Sequence, residues 1–126
     1  ALKTIESAAF LGCKSLTSIR LPSSLTELGV QAFQDCKSLN TVFLSASMTS
    51  IPESAFMRCE SLRSISIYPN IESIGKNAFI GCRGVTAYSV ESGNTKYSSK
   101  DGVLYNKAKT TLIKCQTFSY YRPFLW

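Results

Sequence analysis

The chain contains no histidine. That absence removes the commonest general base and the commonest imidazole metal ligand. Ser, Asp, Glu and Lys are present, but none stands in a recognisable catalytic spacing. The stretch "GVLYNKAKTT" lacks the second Gly and the Gly-Lys-Ser/Thr ending of a phosphate loop. There is no Cys-x-x-Cys pair and no Asn-x-Ser/Thr sequon, so neither a zinc clip nor N-glycosylation is indicated. No apolar run approaches the roughly 20 residues that span a membrane, and no membrane insertion is expected. The opening "ALKTIESAAF" already belongs to a repeat, so no signal peptide is read there and a trimmed or mature fragment of something longer is expected. These absences argue against an enzyme and imply no cofactor.

What is present is organised differently. The 126 residues suffice for one domain, and 44% apolar content fits a globular chain. The net charge of +6 is uneven. Residues 1–90 carry eight basic and six acidic side chains, and residues 91–126 carry six basic and two acidic. The basic tail reads as a solvated surface or as a weak attractor of acidic surfaces.

Apolar residues recur every 23 positions, four times, without insertion. Leu2, Leu25, Met48 and Ile71 form one column, and Ile5, Leu28, Ile51 and Ile74 the next. Ala9, Ala32, Ala55 and Ala78 precede Phe10, Phe33, Phe56 and Phe79. Cys13, Cys36, Cys59 and Cys82 follow, then Leu16, Leu39, Leu62 and Val85. Ile19, Val42, Ile65 and Tyr88, with Leu21, Leu44, Ile67 and Val90, complete the set. Within the second unit, Leu28, Ala32, Phe33 and Cys36 fall on one helical face, which predicts a short helix or 3₁₀ turn. Val42 and Leu44 alternate as a strand does. One unit cannot bury these columns alone, but stacked copies can, with strands paired in parallel.

The segment "CKSLTSIRLPSSLTELGVQAFQD", residues 13–35, resembles the BspA-like, treponemal-type leucine-rich repeat, with Leu28 where Ile is usual. The resemblance covers residues 1–90. "YSSKDGVLYNKAKTTLIKC", residues 97–115, is similar to a hairpin segment found between repeat blocks of such proteins. The resemblance implies a right-handed α/β horseshoe solenoid with a parallel sheet, short helical turns and a C-terminal β-hairpin. Residues 1–90 are expected to form four repeats and residues 91–126 a hairpin and cap segment, although "QTFSYYRPFLW" does not resume the repeat pattern. It further implies a cell-surface or secreted adhesin that binds a host matrix or cell-surface protein.

The recurring cysteines read as packing residues. Ladder spacing is within disulfide reach, but like side chains in a parallel stack point the same way. Four thiols in a line do not make a tetrahedral zinc site. Free Cys packs as a small hydrophobe. Cys115, outside the ladder, is the likelier reactive thiol of the five, with burial in the hairpin the favoured reading.

If Leu16, Ile19 and Leu21 point inward, the opposite face of the sheet carries Ser18, Arg20 and Pro22; Thr41, Phe43 and Ser45; Ser64, Ser66 and Tyr68; and Ala87, Ser89 and Glu91. Arg20, Phe43 and Tyr68 are the large residues on this concave face and are of the types favoured at interface hot spots. Phe43 is expected to be exposed. A second surface, Lys14, Lys37, Glu60 and Arg83, reads as a solvated column or as a basic stripe for acidic glycans; nucleic acid is not expected as a partner. In the tail, residues 102–105 and 111–115 read as strands, with Val103, Leu104, Leu112 and Ile113 positioned to cover the last repeat. The aromatic segment from Phe118 to Trp126 reads as a cap or as a docking element. Self-association through uncapped ends is the remaining expectation.

Overall fold

A computed structural model describes residues 1–114. Eleven short strands run along the chain among these residues. They are β1 (Thr4–Ile5), β2 (Ser18–Arg20), β3 (Glu27–Leu28), β4 (Thr41–Phe43), β5 (Ser50–Ile51), β6 (Ser64–Ile67), β7 (Ser73–Ile74) and β8 (Ala87–Val90) in the repeats. The tail adds β9 (Tyr97–Lys100), β10 (Val103–Asn106) and β11 (Leu112–Lys114).

Each repeat therefore contributes two strands, where the sequence predicts one. Even-numbered strands pair in parallel with the 23-residue register, Ile19 opposite Val42 and Ile65 opposite Tyr88. Odd-numbered strands do the same, Ile5 opposite Leu28 and Ile51 opposite Ile74. Neither column is one continuous ladder. In the odd column the pairing lapses between β3 and β5, and the residues there give the reason. Gly29 and Gly75 each donate an N–H to the carbonyl one repeat back, on Ile5 and Ile51, at 2.7 Å. The equivalent residue between them is Pro52, which has no N–H to give. In the even column, β4 and β6 are linked through Arg63 N–H to Asn40 O at 3.4 Å.

The predicted helical turns are not helices; among the described residues there is none. Bonds from i to i−3 are present, as from Ala32 N–H to Gly29 O and from Cys36 N–H to Phe33 O. But two residues per repeat hold a left-handed backbone, four positions apart. One set is Ala8, Gln31, Ser54 and Asn77, and the other is Gly12, Asp35, Arg58 and Gly81. A right-handed helix cannot contain such residues. The N–H groups between them alternate in direction. Those of Gln31, Phe33 and Asp35 donate along the stack to Glu53, Ala55 and Met57 carbonyls at 2.8–3.1 Å. The turns are thus hydrogen-bonded to their neighbours as strands are. The i, i+4, i+5, i+8 apolar spacing suits this geometry as well as it suits a helix, and the pattern alone does not separate them.

The apolar columns meet in one core. Phe10, Phe33, Phe56 and Phe79 stack nearly parallel, with centroids 5.0, 5.5 and 5.9 Å apart, and Phe79 meets Tyr88 edge-on. Cys36, Cys59 and Cys82 are buried, and their thiols donate to the carbonyls of Phe10, Phe33 and Phe56 at 3.0, 3.1 and 3.0 Å. The cysteine therefore fills a small slot and also supplies a weak donor to the preceding repeat.

A fifth unit begins and is then abandoned. Asn94 stands 23 residues after Ile71, and Tyr97 stands 23 after Ile74. Asn94 is 1% exposed in what should be an apolar slot. Its Nδ2 donates to Tyr68 O and Ile71 O at 2.9 and 3.0 Å, and its Oδ1 accepts from Lys96 and Tyr97 N–H at 2.8 Å each. With both ends of the amide satisfied, burial is tolerable. The chain then folds into an antiparallel sheet ordered β11-β10-β9 rather than a two-stranded hairpin. "YSSK" carries little apolar signal, and β9 goes unrecognised from sequence. Val103 and Leu104 are buried as expected, but Leu112 and Ile113 are exposed. Cys115 and the aromatic segment lie outside the described residues.

Candidate functional site

The even strands alternate as strands must. Val42 and Leu44 turn inward, and Phe43 between them points out with 39% of its surface exposed. Arg20, one repeat earlier in the same column, lays its guanidinium 4.0 Å from the Phe43 ring centroid. That contact is a cation–π pair and fixes one side of the ring. The next two residues of the column are Ser66 and Ser89, whose hydroxyls lie 3.3 Å apart. The face therefore steps down from a bulky pair to a low hydroxyl floor.

A cleft of about 370 Å³ opens at the loosely joined β4–β6 junction. Thr41, Phe43, Ser64, Ser66, Tyr68 and Glu91 line it. Ser18, Arg20 and Ser89 lie outside this lining, although Arg20 and Ser89 touch residues within it. Ser45 is a correction. It is 1% exposed and belongs to the interior, with its hydroxyl donating to Leu25 O at 2.7 Å. Asn40 and Arg63 also line the cleft and escape sequence reading. Both stand just before their strands, one position outside the stretch to which alternation was applied. Arg63 and Glu91 put one charge of each sign on the rim.

The second candidate surface is partly self-neutralised. Arg83 pairs with Glu60 at 3.0 Å, and one row over Arg58 pairs with Asp35 at 2.6 Å. Hydrogen bonding from Arg58 holds the Asp35 carboxyl below its ordinary value. Lys14 and Lys37 remain exposed.

The three buried thiols are not set up for nucleophile chemistry. Burial pushes Cys36 and Cys59 above their ordinary values, and Cys82 up to about 11. A thiol kept protonated in this way is a poor nucleophile. Among the described residues, no group of three or more Cys, Asp or Glu is placed to share a metal ion. No helix among them is long and apolar enough to cross a membrane.

A family model for the BspA type leucine rich repeat region matches residues 1–119 in six copies. The chain belongs to the BspA-type leucine-rich repeat family. Proteins of this type are generally protein-interaction modules. The comparison with curated proteins gives no match. Among solved structures, the pneumococcal vaccine antigen PcpA is 32% identical with a TM-score of 0.81, over 91% of this chain and 29% of that one. A leucine-rich cell surface protein of Faecalibacterium prausnitzii is 33% identical with a TM-score of 0.76, over 84% of this chain and 27% of that one. A leucine-rich repeat protein of Bacteroides capillosus is 30% identical with a TM-score of 0.65, over 71% of this chain and 64% of that one. The chain thus spans under a third of the first two.

Proposed function

We propose that this chain is a non-enzymatic interaction module of a surface-exposed or secreted adhesin, and that it docks a protein partner on the outer face of its even strands. The observation that carries this reading is the cleft beside Phe43 and Tyr68. It puts two aromatic side chains, a hydroxyl floor and one charge of each sign on one surface, with Arg20 braced against Phe43. Aromatic anchors surrounded by small polar groups are the composition of an interface hot spot. The surface location is supported by likeness to a pneumococcal antigen and to a cell surface protein. The natural partner class is a host matrix or cell-surface protein.

The test compares the wild-type chain with Phe43→Ala/Tyr68→Ala for retention of solubilised extracellular-matrix proteins, at physiological and at high salt. Matching circular dichroism shows that both are folded. Loss of retention in the double variant, with little salt dependence in the wild type, supports the reading. Equal retention by both chains refutes it. Retention that collapses with salt and needs Lys14 and Lys37 instead of the aromatics would mark an acidic-glycan module. Sedimentation as a large assembly, with no retention, would mark a self-assembling scaffold.

A further inference from the structure

The three junctions between successive repeats share one hydrogen-bond pattern in their turns. Ala8, Phe10 and Gly12 donate to Val30, Ala32 and Gln34; Gln31, Phe33 and Asp35 to Glu53, Ala55 and Met57; Ser54, Phe56 and Arg58 to Lys76, Ala78 and Ile80. All nine bonds are 2.7–3.1 Å long. By the same register the fourth repeat offers the N–H groups of Asn77, Phe79 and Gly81. They would look for carbonyls on residues 99, 101 and 103. Those residues have left the stack: Ser99 and Val103 pair within the antiparallel sheet, and residue 101 lies in its turn.

The β9–β10 unit does cover the strand edge of the last repeat. Tyr88 N–H donates to Gly102 O at 3.0 Å, and Val90 N–H to Ser99 Oγ at 2.9 Å. It leaves the turn edge open. The N–H groups of Asn77, Phe79 and Gly81 have no hydrogen-bond partner among the described residues. Beside them lies a cavity of about 220 Å³ lined by Ile74, Ala78, Phe79, Ile80 and Ile113, with Lys114 at its side. Ile80 and Ile113 are 45% and 37% exposed. Lys76, next to Asn77, is exposed as well.

We propose that this edge is a strand-addition site for an extended polypeptide segment of a partner protein. Main-chain carbonyls at alternate residues accept from Asn77, Phe79 and Gly81. One apolar side chain enters the cavity against Ile80 and Ile113, and a flanking acidic residue meets Lys76 or Lys114. Three observations select this occupant. A row of alternate N–H groups with no partner among the described residues is complementary to alternate carbonyls of another main chain and to little else. The row continues an interface that the molecule itself forms three times over. And both cations beside the cavity call for acid on the partner. This site is separate from the cleft at Phe43, and neither depends on the other.

The test uses the full chain, isotopically labelled, and a synthetic peptide SIPESAFMR, the sequence of residues 50–58. That peptide carries the carbonyls that accept from Gln31, Phe33 and Asp35, one acid, and an apolar Phe. In the free chain the amides of Asn77, Phe79 and Gly81 should exchange with solvent far faster than those of Ser54, Phe56 and Arg58. Peptide should shift and protect the first three saturably. Ile80→Ser/Ile113→Ser, both at exposed positions, should weaken that binding at least tenfold with the circular dichroism unchanged. Three amides already protected in the free chain would overturn the proposal, because the chain then covers its own edge. Shifts that follow chain concentration without peptide would overturn it in favour of a second copy. No shift at these amides, or binding indifferent to the double substitution, would overturn it too.

Discussion

Cys59 offers the sharpest test of how the stack is held. Its side chain is fully buried, and its thiol donates to Phe33 O at 3.1 Å. Cys59→Ala removes one buried heavy atom and leaves a small cavity, a loss of about 1–2 kcal/mol. The Phe33 carbonyl keeps its other partner, Cys36 N–H at 3.3 Å, so no buried acceptor is orphaned. Cys59→Ser restores a donor in place of the sulfur. Burying a hydroxyl costs about 1–3 kcal/mol when it is unpaired, and a hydrogen bond offsets about 0.5–1.5 of that. If the thiol is a real donor, the serine hydroxyl inherits its carbonyl, and Ser should fall within about 0.5 kcal/mol of Ala. If sulfur is only a space-filler, the hydroxyl is stranded and Ser should be worse than Ala by about 2 kcal/mol. Sequence alone favours the second outcome, since it reads the column as apolar; the geometry favours the first. Urea unfolding resolves the two, because about 1.5 kcal/mol moves the midpoint by roughly 0.5–1.5 M at the slope of a small protein. Coincident fluorescence and circular dichroism transitions check that one cooperative step is being read. Cys13→Ser is the internal control. Cys13 is partly exposed in the first repeat, and its substitution should change stability by under about 0.5 kcal/mol. A Ser variant at position 59 markedly less stable than Ala would refute thiol donation as a repeat-to-repeat link.

Stability should fall at alkaline pH. Cys82 titrates near 9.0 when unfolded and near 11 when folded, so between those values the folded state binds more protons, and raising the pH favours unfolding. That one thiol accounts for a loss of about 2–3 kcal/mol across the window, and Cys36 and Cys59 push the same way; midpoints measured from pH 8 to 11, flatter in Cys82→Ala, check it. Asn94→Ala should cost about 2–4 kcal/mol, since it strips partners from two carbonyls and two N–H groups, and should speed tryptic cleavage at Lys96 and Lys100 before cleavage within the repeats. Gly75→Ala should cost about 1–3 kcal/mol or more, because its new Cβ would lie 2.3 Å from Glu53 N, a backbone atom that cannot step aside; an unchanged melting curve would contradict the packing described for that junction.

The stack was legible in the sequence because every column repeats like residues at one interval, and in the two middle repeats all of them are buried. Phe33, Cys36 and Leu39 are fully buried where the repeat puts them. The turns were not legible, since Gln31, Ser54 and Arg58 hold left-handed backbone without the glycine that signals it. Asn94 was not legible either, for a polar residue in an apolar column reads as the end of the repeat when it is in fact its anchor. For the cleft, alternation along the strands brought forward Phe43 and Tyr68 but said nothing of Asn40 and Arg63, nor of the loosened β4–β6 junction that gives the cleft its room. Ser45 failed because alternation stops where the strand stops, at Phe43.

The left-handed residues in the turns have a consequence for how such a chain can vary. Ala8, Gln31, Ser54, Asp35 and Arg58 each carry a Cβ in a conformation that costs about 1–2 kcal/mol relative to the right-handed one and that glycine adopts freely. Each of the first three repeats thus holds a small reserve of stability that one substitution to Gly or Asn can release, whereas the fourth already carries Asn77 and Gly81 there. Because repeats contribute nearly independently, the gains should accumulate unit by unit. All these positions lie in the turns, away from Phe43 on β4 and from Tyr68 just past the end of β6. A lineage of such proteins can therefore harden or soften its scaffold at one set of sites while it explores partners at another.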